Sequence, residues 1–343
     1  MQIRTVLAAF ALSITAGAVS APIPVAAQDI SFQSYLELVA ARARAEGVSE
    51  TTIRSMLGGL TPSSRVLELD RDNVSSGGSS SGFPRLQPYL DRHNTSVRIR
   101  DGRREYARLG AIGAQVEERF GVPAPILLAI WGHETSYGAV KGEFDLTQAL
   151  ATLAWDGRRR ELFEAELIAL LKMADRGYPR SQMRGSWAGA FGNPQFLPSV
   201  YLRLAIDGDG DGRADIYNNR TDTLYSIANY FRDAGWRPGL PWGVRAYVPG
   251  SLDRSRFDSE TASPVCPRVH IRHGQWKTVA EWRSLGVTPQ TYLPEDAMVS
   301  LFEPDGRGTP AWLLTQNYRV ILEYNCSNYY AMSVGLLADE IAR

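Results

Sequence analysis

The stretch from Ile126 to about Thr135 is apolar on almost every face that a helix would present. Gly121 and Pro123 interrupt the chain before it, and Pro125 suits the first turn of a helix, where its missing N–H has no intrahelical partner. A helix that is apolar on every face must be buried. The rest of the chain is therefore predicted to fold around this helix.

Amphipathic patterns predict further helices on both sides of it, at residues 31–60, 98–120, 159–174, 223–233 and 329–342. Short β-prone runs occur late in the chain, at Arg268–Arg272, Met298–Phe302 and Tyr318–Tyr324. Residues 74–83 are mostly Ser and Gly, which cannot bury a core, so a mobile loop is predicted there. The predicted fold class is α+β and mainly α, with a small late β subdomain.

The first 27 residues have the pattern of an export signal. Arg4 precedes an apolar run from Val6 to Val19, and small residues ending at Ala27 suit a cleavage site. The run is shorter than the about 20 residues that span a bilayer, and no later segment is apolar enough to do so. With no cysteine near the cut to carry a lipid, we expect a cleaved signal peptide and a soluble protein in the periplasm.

The composition excludes some partners. The 37 basic and 37 acidic residues balance, which gives no electrostatic case for nucleic acid as a partner. The four scattered His residues do not indicate a metal centre. Cys266 and Cys326 are the two cysteines; outside the cytoplasm we expect them to be bridged, with two buried thiols as the alternative.

Glu134 lies at the C-terminal end of the predicted buried helix. A carboxylic acid among apolar groups such as Trp131 resists ionisation, so it can stay protonated near neutral pH and donate to a glycosidic oxygen. The alternative is a Glu that only caps or salt-bridges the helix end. A zinc motif of the H-E-x-x-H type fails, because Tyr137 stands where the second His would be.

Residues 185–198 form a second candidate segment, rich in small residues that allow a ligand to approach the backbone closely. Gln195 within it offers both a donor and an acceptor, and the aromatic residues can stack on sugar faces. The alternative is an ordinary glycine-rich turn.

Residues 207–215 match the opening of an EF-hand calcium loop. The predicted ligands are Asp207, Asp209, Asp211, the backbone carbonyl of Arg213 and, through water, Asp215. Gly212 allows the tight turn, but Asn218 replaces the usual bidentate Glu, and Asp222 can take that role in a longer loop. We expect a structural Ca²⁺, with a solvated acidic turn as the alternative.

Together these segments resemble the membrane-bound lytic murein transglycosylase B family, including its soluble processed form, over about residues 30–343. The matching motifs are residues 131–135, 149–153, 158–159, 185–190, 195–198, 207–215, 227–230 and 324–327, with Asp222 and Tyr330. Tyr89 matches a tyrosine near the site more loosely. The resemblance implies a lysozyme-like catalytic core and no cofactor for the chemistry.

The family's activity, carried over to this chain, would be cleavage of the β-1,4 bond between N-acetylmuramic acid and N-acetylglucosamine in peptidoglycan. Glu134 would be the single acid/base, and the products would end in 1,6-anhydro-muramic acid. The residues implied to bind the glycan are Ser186, Gln195, Tyr230, Tyr324, Asn325, Tyr330, Arg158, Arg159 and Tyr89. Arg158 and Arg159 would meet peptide or lactyl carboxylates, with a solvated helix start as their alternative.

Two rival functions remain open. A lysozyme-like hydrolase would need a second carboxylate, for which Asp145 and Asp156 are nearest in sequence. A non-catalytic, calcium-dependent glycan-binding protein would use the same surface without turnover. Cell-wall assembly proteins are further possible partners.

The chain is predicted to divide into five regions. These are a signal peptide (1–27), an N-terminal helical region (28–110), a lysozyme-like core with the calcium loop (111–245), a small β subdomain (246–323) and a C-terminal motif with its helix (324–343). Two features depart from the family pattern. Cys326 lies inside the late motif, where a bridge to Cys266 would tie the β subdomain to the site, and the loop before Asp222 is longer by a residue.

Overall fold

The computed structural model describes residues 30–75, 85–257, 266, 269 and 273–343. The predicted signal peptide lies outside these residues, as do most of the predicted Ser/Gly loop and most of the predicted strand Arg268–Arg272.

The central helix α7, Ala124–Thr135, is buried along almost its whole length, as its all-round apolar sequence predicts. Pro125 lies in its first turn. It packs against α5 (Ser96–Leu109) and α14 (Asn328–Ile341). Ser136 ends it in the left-handed conformation, with φ 50°. Glu134 is thereby fixed at the last turn of the most buried helix.

The other helices surround α7 or form an N-terminal layer. They are α1 (Phe32–Ala45), α2 (Glu50–Leu57), α3 (Ser64–Ser75), α4 (Leu86–His93), α6 (Ala111–Phe120), α8 (Leu146–Asp156), α9 (Arg160–Asp175), α10 (Pro198–Leu204), α11 (Arg220–Asp233), α12 (Val279–Ser284) and α13 (Gln316–Tyr324). The helices predicted at residues 31–60, 98–120, 159–174, 223–233 and 329–342 are confirmed, the first two each as a pair of helices.

Two antiparallel sheets are present among the described residues. A small one pairs β1 (Phe144–Asp145) with β2 (Arg184–Gly185). The larger has the order β4-β6-β7-β3-β5, and its strands are β3 (Gly243–Tyr247), β4 (Trp276–Thr278), β5 (Thr288–Pro289), β6 (Met298–Phe302) and β7 (Ala311–Leu314). The strand predicted at Met298–Phe302 is confirmed with the same bounds. The predicted α+β class, mainly helical with a late sheet, is also confirmed.

The prediction of a strand at Tyr318–Tyr324 is wrong, because these residues belong to α13. Its aromatic and β-branched residues favour a strand only where their side chains pack on a pleated surface. Here Tyr318, Val320 and Ile321 pack in the helical core with α7 and α14, and Thr315 caps the helix by accepting from Asn317 N. Tertiary packing therefore overrides local propensity.

Three apolar clusters hold the fold together. One surrounds α7 and includes α11, α13 and α14; a second joins α1 and α2 to α8 and α9; a third lies between the larger sheet and α12. Within the described part of the chain, no helix combines the length and the apolar character that crossing a membrane would take. The division into five regions stays a prediction.

Candidate active site

Glu134 points its carboxyl group toward α14. Its Oε1 accepts a hydrogen bond of 2.5 Å from the hydroxyl of Tyr330, in the first turn of that helix. Burial raises the pKa of Glu134 from 4.5 to about 7, and the Tyr330 hydrogen bond opposes this in part. A carboxyl with this pKa holds its proton near neutral pH and can also release it, as a general acid/base must.

Aromatic side chains from three elements meet near this carboxyl. Tyr324, at the end of α13, donates to Pro194 O at 2.6 Å, and its ring lies 4.8 Å from that of Tyr230 on α11. Tyr230 donates to Glu323 O at 2.9 Å. Burial raises the pKa of both Tyr324 and Tyr330 well above the usual range, and the charge of Glu134 adds to it. The structure therefore brings together Glu134, Tyr330 and Tyr324, three residues that the family resemblance implies for the site.

The turn after Glu134 has an uncommon backbone. Ser136 and Tyr137 both have positive φ, at 50° and 59°, which few non-glycine residues adopt. Gly132 permits this turn, since a Cβ there would lie 2.6 Å from the hydroxyl of Tyr137. Thr135 fixes it from inside by donating to Asn193 O at 3.1 Å. The position of Glu134 is thus determined by contacts on both sides of the turn.

The glycine-rich segment lies next to this turn through Asn193. Gln195 has φ 51°, and its Nε2 donates to Gly192 O at 2.9 Å and to Lys141 O at 3.2 Å. Both described bonds use the amide nitrogen, which leaves the amide oxygen to accept from a ligand. Ser186 accepts from Ala190 N at 3.0 Å, so its hydroxyl closes the local turn.

Tyr89, early in the chain, and Asn325, late in it, both adjoin residues next to the site: Tyr89 lies beside Tyr329, and Asn325 follows Tyr324. Tyr89, on α4, stacks on His93 with ring centroids 4.0 Å apart and lies 5.7 Å from Tyr329. Burial raises the pKa of Tyr89, and the charge of Glu134 is the next cause, which places the two within electrostatic reach. Asn325 directly follows Tyr324 at the end of α13 and is exposed.

Arg158 and Arg159 both bind Asp70, which is only 2% exposed. Arg158 Nε lies 2.9 Å from Asp70 Oδ2, and Arg159 Nη2 lies 2.8 Å from Asp70 Oδ1. The pair therefore fastens α3 to the start of α9, and the sequence analysis gave no sign of this partner. Binding of substrate carboxylates by these arginines stays a prediction.

The predicted calcium loop brings three carboxylates together. Ligand oxygens of Asp207, Asp209 and Asp211 all lie within 4.8 Å of one another. Asp222 is fully buried and holds the two ends of the loop: its oxygens accept hydrogen bonds from Gly208 N at 2.8 Å and from Asp215 N at 2.7 Å. The side chain of Arg213 turns away to Gln182, as expected of a residue predicted to offer only its carbonyl.

Hydrogen bonds connect this loop to the turn after Glu134. Asn193 N donates to Ile216 O at 2.8 Å, and Asn193 Nδ2 donates to Thr223 Oγ1 at 3.0 Å. Lys141 Nζ, from the segment after the turn, donates to Tyr217 O at 2.6 Å. The loop and Glu134 therefore share a support, although they are far apart in sequence.

Cys266 and Cys326 form a disulfide, with Cα atoms 5.2 Å apart, which confirms the bridge expected from the sequence. Cys326 stands between Asn325 and Ser327, and the side chain of Ser327 caps α14 by accepting from Tyr330 N. The bridge therefore restrains the junction that carries Tyr330 to Glu134.

Two side chains at the site were not identified from the sequence. His133 lies 3.1 Å from Ser333 Oγ through its Nε2, and burial lowers its pKa to about 3, so it is neutral. Arg98, on α5, lies 3.4 Å from Ser136 Oγ. His133 lies within the motif 131–135 but was given no role, and no motif marks Arg98, because the partners of both side chains come from distant parts of the chain.

Comparisons with known proteins agree with this geometry. The model of a family described as the transglycosylase SLT domain matches residues 31–339. Membrane-bound lytic murein transglycosylase B of Escherichia coli K12 is 34% identical over 226 residues, which are 65% of this chain and 58% of that protein. The aligned part of this chain thus spans less than two thirds of that relative's length.

Solved structures show the same fold. SltB3 from Pseudomonas aeruginosa, in complex with NAG-anhNAM-pentapeptide, has a TM-score of 0.80 and 35% identity, over 91% of this chain and 80% of that one. Slt35 from Escherichia coli, in complex with calcium, has a TM-score of 0.73 and 26% identity, over 90% of this chain and 92% of that one. The predicted lysozyme-like fold is thereby confirmed.

Proposed function

The chain belongs to the transglycosylase SLT domain family, and we propose that it is a lytic transglycosylase that cleaves the glycan strands of peptidoglycan. The observation that carries the proposal is the buried carboxyl of Glu134, whose pKa is raised to about 7 and which is held by Tyr330. SltB3, at 35% identity, is a protein solved with a NAG-anhNAM-pentapeptide. The proposed bond is the β-1,4 bond between N-acetylmuramic acid and N-acetylglucosamine.

The mechanism uses Glu134 twice. Protonated Glu134 first donates to the leaving glycosidic oxygen. The substrate's own N-acetyl group stabilises C1 in place of a protein nucleophile, and ionised Glu134 then takes the proton of the sugar's 6-hydroxyl. That oxygen attacks C1 and closes the 1,6-anhydro ring. The tethered hydroxyl competes with water through its effective concentration, a gain of ~7–11 kcal/mol in well-aligned cases.

The surroundings of Glu134 support a single-carboxylate mechanism. Burial raises the pKa of Tyr330, and among the described residues Glu134 is the one carboxylate that adds to it and hydrogen-bonds its hydroxyl. The two carboxylates nearest in sequence already have other partners. Asp145 caps α8 and pairs with Arg180, and Asp156 lies 3.9 Å from Arg71.

The proposed roles of the other residues follow from their positions. Tyr330 orients Glu134. Gln195 and Asn325 offer amides to the glycan, and the rings of Tyr89, Tyr230 and Tyr324 form apolar walls beside it. Ser186 acts through the turn that it closes with Ala190.

The test of this function is the release of soluble fragments from purified peptidoglycan. We expect the protein without residues 1–27 to release fragments with repeated turnover. If it binds the strands but releases nothing, the non-catalytic glycan-binding alternative is correct and the proposal fails.

The pH dependence of activity should report on Glu134. Since the acid must be protonated in the free enzyme, kcat/KM should fall as pH rises through about 7, the value to which burial raises the pKa of Glu134. Tyr330→Phe removes the hydrogen bond that lowers this pKa, so the falling limb should move to higher pH. Tyr230→Phe is the control, because its hydroxyl donates to Glu323 O instead. A limb that Tyr330→Phe leaves in place would contradict the assignment.

We also propose a structural Ca²⁺ at residues 207–222. The donor set fits a hard cation, because three carboxylates converge within 4.8 Å and would repel one another without one. Asp207, Asp209 and Asp211, the carbonyl of Arg213 and Asp222 would hold it. When bound, the ion supplies charge neutralisation and no chemistry. Slt35, at 26% identity, is a structure in complex with calcium.

Removing calcium should lower thermal stability. A ligand that binds only the folded state at about 100 times its Kd stabilises it by ~2.7 kcal/mol. We therefore expect a chelator to lower the Tm, and Asp207→Asn to abolish the difference between calcium and chelator. Asp233→Asn is the control, because Asp233 is an exposed acid outside the loop that pairs with Arg203. An equal Tm with calcium and with chelator would refute the site.

The disulfide supports a periplasmic location for the proposed enzyme, because such bonds persist in oxidising compartments. The periplasm is also where peptidoglycan is accessible.

A further inference from the structure

Arg98 is a half-buried cation beside the turn that follows Glu134. Its Nη2 lies 3.4 Å from the hydroxyl of Ser136, and its Nη1 donates to the carbonyl oxygen of His93. The ring of His93 stacks on Tyr89, with centroids 4.0 Å apart. The guanidinium therefore lies between the turn and the helix that carries Tyr89, on one side of the proposed catalytic carboxyl.

Arg98 also lacks a carboxylate partner among the described residues, unlike its neighbours on α5. Those neighbours form the pairs Arg100–Asp101, Arg103–Glu340, Arg104–Asp101 and Arg108–Glu105. The side chain of Arg98 is half-buried, which partly removes water from its charge and lowers its pKa. A guanidinium has five N–H donors. The carbonyl of His93 and the hydroxyl of Ser136 occupy two of them, so most remain available to an anion.

The residues expected from the sequence to bind substrate carboxylates are engaged elsewhere. Arg158 and Arg159 share the buried carboxylate of Asp70. Glycan strands of peptidoglycan carry carboxylates on the muramic side chain, either on the stem peptide or on the bare lactyl group. Arg98, beside the turn that follows Glu134, is a cation with unused donors and is positioned to meet them.

We propose that Arg98 binds a carboxylate of the muramic side chain and makes the enzyme prefer anionic strands. The inference rests on the proposed function, since it takes peptidoglycan as the substrate. Planar guanidinium and carboxylate groups form paired, charge-assisted hydrogen bonds, which a point charge reproduces less well. Arg98 would thus be a specificity-determining residue that takes no part in proton transfer.

The test compares Arg98→Gln with Arg98→Lys and with Arg100→Gln. Arg100 is the matched control, because it is exposed on the same helix and is paired with Asp101. KM and kcat are measured on intact strands, on strands whose peptide carboxyls are amidated, and on strands stripped of peptides by an amidase, which frees the lactyl carboxylate.

We expect Arg98→Gln to raise KM on intact strands roughly 10- to 100-fold, the loss of one charge-assisted interaction. The value of kcat and the alkaline limb of the pH profile should hardly change. The KM of Arg98→Lys on intact strands should lie between those of the wild type and Arg98→Gln, and the KM of Arg100→Gln should equal that of the wild type. On amidated strands the wild type and Arg98→Gln should have equal KM. A penalty on intact strands alone would identify a carboxylate of the stem peptide, and a penalty on stripped strands as well would show that Arg98 also binds the freed lactyl carboxylate.

The inference is overturned if Arg98→Gln leaves KM unchanged on every strand, or raises it equally on amidated strands. If Arg98→Gln does not fold, Arg98→Lys carries the test: its KM should exceed that of the wild type on intact strands and equal it on amidated strands. A wild type that releases no product from any strand would instead refute the proposed function.

Discussion

Glu134→Gln is expected to give a folded protein with almost no activity. General acid/base catalysis by a positioned side chain contributes roughly 10²–10⁴-fold to rate, and here one residue serves as both acid and base. The amide keeps the shape of the side chain and can still meet Tyr330, but it cannot donate and recover a proton. The measurement is the rate of fragment release from purified peptidoglycan beside the wild type.

The same variant distinguishes a buried acid from a Glu that only caps its helix. The folded-state pKa of Glu134 is about 7, above its ordinary 4.5, so its stabilising effect is complete below about 4.5 and is lost as pH rises to about 7. Gln has no such dependence. The difference between the Tm of Glu134→Gln and the Tm of the wild type should therefore increase in favour of the variant as pH rises from about 4.5 to about 7. A variant that loses Tm relative to the wild type at high pH would indicate a salt-bridged cap.

Loss of the disulfide should have the largest effect on stability. A bridge between cysteines 60 residues apart restrains the unfolded chain by ~4 kcal/mol in the loop-entropy model. The double variant Cys266→Ser/Cys326→Ser should therefore unfold at a clearly lower denaturant concentration. Activity should also fall, because Cys326 adjoins the cap of the helix that holds Tyr330.

Reductant provides the control for this prediction. Reduced wild type should unfold at the midpoint of the double variant, and the variant should not respond to reductant. An unchanged midpoint on reduction of the wild type would show that the bridge contributes nothing to stability.

Features that depend on local pattern were predictable from the sequence. The apolar stretch around Trp131 had to be buried, so Glu134 had to stand at the end of a buried helix with its pKa raised. The aspartates at 207, 209 and 211 converge because a glycine-rich loop of that spacing folds back on itself. In both cases the cause lies within a few consecutive residues.

Features that depend on distant partners were not predictable in the same way. Arg158 and Asp70 are 88 residues apart, and nothing near Arg158 indicates that a buried acid is its partner. Tyr330 and Glu134 are 196 residues apart, and only the resemblance to a known family linked them. Tyr318 has strand propensity but lies in a helix, because the core around α7 accepts its ring there. Long-range packing decided each of these outcomes.

In the proposed mechanism, Glu134 acts without a second carboxylate and lets the sugar's own hydroxyl attack C1. Mass spectrometry of the fragments released from purified peptidoglycan tests this most directly, with Glu134→Gln measured beside the wild type. We expect fragments one water lighter than hydrolysis products, ending in 1,6-anhydro-muramic acid, and none from the variant. Hydrated reducing ends from the wild type would contradict it and would identify a lysozyme-like hydrolase.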